Sequence, residues 1–118
     1  MAGGMEAREA RPAKAWGLAV VRGRSMQPTL YDGDRLLVRH GATPRVGDVV
    51  VVRLPAGAGG VVAVKRATMR DREGWWVERD NPDEGVDSWS VGAIADGDVI
   101  AVARLRLWPL RLTRLRRR

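Results

Sequence analysis

The sequence predicts a small, mainly β domain: a coiled, partly closed, barrel-like sheet with short turns and little helix. Six short aliphatic or aromatic runs alternate with turns rich in Gly, Asp and Pro. Three of those runs follow a Gly–Asp turn. Nothing before residue 104 shows a 3.6-residue apolar period.

Taken in order, residues 1–15 are Ala, Gly and charge and read as a disordered extension. The ordered domain is expected over 16–103, opening with an apolar strand at 18–21. Asp32-Gly33-Asp34 then precedes Leu36-Leu37-Val38, Val46-Gly47-Asp48 precedes four valines at 49–52, and Asp96-Gly97-Asp98 precedes Val99-Ile100-Ala101-Val102. Glycine supplies the turn's positive φ, and aspartate bonds nearby backbone. Their irregular spacing marks turn–strand units and not a solenoid repeat. Further strands fit 61–64 and 75–78, the first entered through the flexible segment 56–60. Residues 104–118 form a basic Leu/Arg tail, in which Leu105 and Leu107 alternate with Arg like an edge strand until Pro109. Beyond it, Leu112 and Leu115 fit one side of a short basic helix. Two readings fit this tail: a solvated, fraying end, or a weak contact with an acidic lipid or protein surface.

Composition narrows the chemistry. A chain of 118 residues holds one sizeable core, and 45% hydrophobic residues suffice to build it. Cysteine is absent, which removes disulfides, thiolate nucleophiles and Cys-bound metals. His40 is the only histidine, so a multi-histidine zinc site is excluded and a Ser–His–Asp triad would have to use it. The net charge of +7 resides in the tail, whose seven arginines face no acid; elsewhere fourteen basic residues balance fourteen acidic ones. A dedicated nucleic-acid-binding face is therefore not expected. No apolar run approaches the ~20 residues of a membrane span, and the N-terminus lacks a signal-peptide core. The sequence-based expectation is a cytoplasmic protein without a membrane anchor.

Three stretches could carry chemistry. In Arg22-Gly23-Arg24-Ser25-Met26-Gln27-Pro28-Thr29-Leu30 a strand end runs into a rigid turn. Gly23 admits close backbone approach and Pro28 fixes the turn. Ser25 there is either an ordinary turn serine or a nucleophile exposed beside its own amide. Lys65 follows the apolar run 61–64 and is either a surface lysine with a packed stem or a desolvated amine able to take a proton. The polar loop from Arg79 to Gly92 is either a long turn or a site loop; its carboxylates lack EF-hand spacing, so no metal is expected. No cofactor is expected either.

Taken together, Ser25-Met26-x-Pro28-Thr29-Leu30, a Gly-Asp-hydrophobic turn, Val64-Lys65-Arg66 and Asp80-Asn81…Asp87-Ser88…Gly92 resemble, in that order, the bacterial type I signal peptidases. The resemblance covers about residues 18–102. It implies a Ser–Lys endopeptidase with Ser25 as nucleophile and Lys65 as general base. The Ser25 amide would be an oxyanion donor, Met26 would pack beneath the dyad, and Asp87 would hold the site loop. Ser88 matches a box position without being the nucleophile. Residues 18–21 would edge a cleft for an extended peptide. Gly85 stands where the resemblance puts a lysine-orienting serine, and Trp89 where it puts an arginine. Size and the missing anchor resemble the short, soluble branch, particularly the nickel-type superoxide dismutase maturation peptidases, whose substrate is a precursor with an N-terminal propeptide. Three other readings stand beside this one. A self-cleaving domain like that of SOS-type repressors shares the dyad, with an Ala-Gly bond at Ala56–Gly57. A catalytically inactive peptide-binding module of the same fold is the second, and a basic nucleic-acid binder that uses the tail 104–118 is the third.

Overall fold

The computed structural model describes residues 15–109 and 115–116. Six strands form one antiparallel sheet: β1 (Ala15–Val20), β2 (Arg35–His40), β3 (Val49–Arg53), β4 (Val62–Asp71), β5 (Gly74–Glu78) and β6 (Val99–Trp108). Their order is β1-β2-β6-β3-β4-β5, so the mainly β class holds and the sheet stays open, with β1 and β5 as its edges. The described helix is one turn, α1 (Ser88–Val91), beside two 3-10 turns at Ala56–Ala58 and Asp96–Asp98. None of the described helices is long and apolar enough to cross a membrane.

Strand alternation builds a core on each face of the sheet. Val49 and Val51 of β3 join Val21, Met26, Leu30, Leu36, Val38, Ala101 and Ala103 on one side. Val50 and Val52 join Leu54, Ala67, Trp75, Val77, Ile94 and Val102 on the other. An unbroken apolar run suits a strand covered on both faces, and all four valines are at most 7% exposed. The turn aspartates act as their sequence suggests: Asp34 accepts from the Tyr31 amide and Asp48 from the Arg45 amide, each while buried.

Two sequence expectations change at the C-terminal end. Residues 104–108, assigned to the basic tail although their alternation reads as an edge strand, are a strand continuous with 99–103 and form the second half of β6, with Leu37 opposite Leu105 and Leu36 opposite Arg106. Arg106 stays in the strand because buried Asp34 meets its guanidinium at 3.4 Å. Leu115 is not part of a solvated end: it is 4% exposed and packs in the first core cluster, and Arg66 Nη1 donates to its carbonyl. The helix position at Leu112 lies outside the described residues, as does the extension before Ala15.

Candidate active site

Ser25 begins the turn that leads from β1 toward β2. Its shape is set by Gln27 N donating to Arg24 O and by Thr29 and Leu30 N donating to Met26 O. Met26, 1% exposed, anchors the turn in the first core cluster. The Gln27–Pro28 peptide is cis, and Pro28 itself is exposed. Among the described residues nothing accepts the Ser25 amide N–H. Ser25 O, by contrast, takes the Asn81 amide at 2.8 Å, and Asn81 Nδ2 donates to Arg24 O at 2.9 Å. One asparagine thus holds the two successive carbonyls that flank the Ser25 Cα.

Lys65 lies inside β4 and not at its end, because the strand runs on to Asp71. It sits opposite Val50 and is 3% exposed. Its Nζ is 3.3 Å from Ser25 Oγ. Burial pushes the ammonium below the ordinary lysine value; the Asp87 carboxylate pulls it back up, and the Arg79 guanidinium pushes it down again.

Arg66, the next residue, faces the other way and builds the support. It holds Asp80 in a two-point ion pair, Nε to Oδ1 at 3.2 Å and Nη2 to Oδ2 at 2.6 Å, with both side chains 3% exposed. Its Nη1 donates to Gly47 O. Thr29 Oγ1 donates to Asp80 Oδ2, so one buried cluster ties β4, the serine turn and the loop after β5. Sequence reading placed Arg66, Asp80, Asn81 and Thr29 in informative boxes but gave them no role. The signal was there in a buried-strand arginine and an Asp-Asn pair that need partners.

The loop between β5 and α1 closes the site. Asp87 caps α1 by accepting from Trp89 N at 3.1 Å. Ser88 is buried, and its Oγ accepts from Val77 N, which pins α1 to β5. Gly85 lies directly on the dyad: a Cβ there would fall 2.6 Å from Ser25 Cβ and 3.3 Å from Lys65 Nζ, and its φ is +98°. The position the resemblance gives to an orienting serine therefore has no room for a side chain. Trp89 points out, 75% exposed, its ring edge-on to Trp76 and its Nε1 donating to Glu78.

A cleft of about 360 Å³ opens over Ser25 and Lys65, walled by residues 22–25, 61–65 and 84–86 with Leu54. Gly23 lines it, its amide held by Asp32 Oδ1. Residues 18–21, expected as the cleft edge, do not: 18–20 pair with β2 and Val21 is core. His40 does not line the cleft either. β4 is paired to β3 over Val62–Arg66 but to β5 only from Arg66 onward, so its outer edge along 62–65 faces the cleft without a described strand partner. No group of three or more His, Asp or Glu among the described residues is placed to hold a metal.

Comparison with curated proteins gave no match. The profile of the peptidase S24-like family, and not one of the signal peptidases that the boxes resemble, matches residues 5–103. That span takes in the serine turn, the strand that carries Lys65 and the loop that covers both, and the chain belongs to the peptidase S24-like family.

Proposed function

We propose that this protein is an endopeptidase in which Lys65, as a neutral amine, takes the Ser25 proton while Ser25 Oγ attacks a peptide carbonyl. The observation that carries this reading is the 3.3 Å approach of a buried lysine amine to a serine hydroxyl at the floor of an open cleft. The Ser25 amide is the donor for the developing oxyanion. The substrate is an extended peptide that adds to the bare edge of β4, and exposed Val61, Val62 and Val86 favour small or apolar side chains beside the cut. In the finer form of the proposal, the enzyme removes the N-terminal propeptide of a precursor in the cytoplasm, with nickel-type superoxide dismutase as the substrate, a choice supported by the resemblance of the small domain and its compact Asn81-Pro82 loop to the maturation peptidases.

The test mixes purified protein with unprocessed precursor, with Ser25→Ala and Lys65→Ala in parallel, and reads products by mass spectrometry. One cut near the precursor's N-terminus, lost in both variants, is the expected result. No cut removes the substrate assignment; a cut that survives Ser25→Ala removes the dyad.

The family match also favours self-cleavage. Ala56–Gly57 lies in the β3–β4 connection, near cleft-lining Leu54 and Val61. It is held in a 3-10 turn, with Ala56 O accepting from Gly59 N, and not extended as a scissile peptide must be. An aged sample that stays intact by mass spectrometry counts against this second reading.

A further inference from the structure

Gly85 lies against both residues of the dyad and brings no side chain to it. Something else must fix the loop that carries it. Arg79, just past the end of β5, supplies that restraint. Its Nη1 donates to Gly85 O at 3.0 Å, its Nη2 donates to Pro82 O at 3.0 Å, and Nη1 lies 3.7 Å from Asp87 Oδ2. One rigid fork therefore joins the beginning, middle and end of the 79–87 loop. Arg79 Nε is buried without an acceptor among the described residues, so these contacts alone hold the group. Position 89, where the box pattern puts an arginine, offers a tryptophan turned to solvent, and the guanidinium reaching Asp87 comes from the other side of the loop.

We infer that Arg79 is a positioning residue for the Ser25–Lys65 dyad, clamping the Gly85 backbone against both side chains and fixing Asp87 beside them. The inference rests on the dyad reading above, and it adds a residue that the sequence boxes do not assign. Two consequences separate this role from a purely structural one. The clamp sets the geometry of the dyad, and its positive charge works against protonation of Lys65 while Asp87 works for it. Of the other charged groups near Lys65, Arg66 pairs with Asp80 on the opposite face of β4 and Arg24 with Glu84 at the cleft rim, 2.7 Å apart, while Arg22 lines the same cleft.

The chain has two lysines, Lys14 and Lys65, so protein labelled with ¹³C at lysine Cε gives two signals and Lys65→Met assigns them. In Arg79→Gln the Lys65 signal is expected to titrate at higher pH than in wild type. The pH–rate profile should move with it, the rate at neutral pH falling roughly tenfold per unit of movement. Arg79→Lys keeps the charge but loses the fork, so its midpoint stays near that of wild type while kcat falls. A Lys65 midpoint unmoved in folded Arg79→Gln overturns the inference even if wild type cleaves. A moved midpoint sustains it even if no tested precursor is cut, which leaves only the proposed function in question. Should Arg79→Gln fail to fold, Arg79→Lys decides, and wild-type kcat in that variant overturns the inference.

Discussion

Replacing Gly85 by alanine tests the site at its tightest point. The backbone there has φ of +98°, a region that costs a residue with a Cβ about 1–3 kcal/mol. The new methyl would sit 2.6 Å from Ser25 Cβ, well inside the ordinary carbon–carbon contact of about 3.5–4.0 Å. Ser25 Cβ is fixed to backbone and cannot swing away, so the loop or the serine turn must shift by roughly 1 Å; such overpacking adds about 1–3 kcal/mol. The combined loss is about 2–6 kcal/mol, a large part of the ~5–15 kcal/mol that holds a domain together. A shift of that size also costs roughly 10²-fold in rate. Gly33→Ala is the control: its φ is +91° but a Cβ would meet nothing within 4 Å, so it pays the backbone term alone. Urea titrations followed by tryptophan fluorescence give the stabilities, and precursor cleavage gives the rate. A Gly85→Ala protein no less stable than Gly33→Ala, cleaving at the wild-type rate, would refute the packing of Gly85 on the dyad.

Three further outcomes follow from the buried charges. Cleavage should rise with pH as Lys65 loses its proton, with a midpoint below the ordinary lysine value; a flat profile between about pH 6 and 10 contradicts a lysine base. Because the native pKa is lowered, the unfolded chain binds a proton that the native state does not across the window from that lowered value to the ordinary one near ~10.4, so stability rises with pH there. Lys65→Met should therefore be more stable than wild type at low pH, with the gain shrinking as pH climbs through the window; a pH-independent difference in urea titrations rules this out. Arg66→Met should cost about 3–5 kcal/mol by removing one side of the buried two-point ion pair with Asp80, and should lower cleavage through Thr29 and the serine turn. A loss below about 1 kcal/mol in the same titrations would show that Asp80 is held by other means.

The strands were legible because alternation and unbroken valine runs report burial directly, and each of the six runs is a strand. Their order was not legible: nothing local tells residues 99–108 to enter between β2 and β3, since that choice depends on which faces remain to be covered. Lys65 and Ser25 could be paired from their boxes, but the extent of β4 could not. Met69, Arg70 and Asp71 are exposed, and pairing across to Trp76, Trp75 and Gly74 makes them strand. Arg79 escaped notice because its work is done on carbonyl oxygens, which have no sequence signature. Leu115 escaped because an arginine-rich segment reads as solvated until a buried arginine on another strand reaches for its backbone.

The place of β6 has a consequence for when Ser25 and Lys65 can be brought together. Ser25 belongs to the β1–β2 half of the sheet and Lys65 to the β3–β4–β5 half, and β6 is the described strand that hydrogen-bonds to both. It is also the last of the six to leave the ribosome. On the dyad reading, a nascent chain carries Ser25 and Lys65 on two sheet fragments that have no shared strand, and synthesis of the final strand is the step that joins them in one sheet.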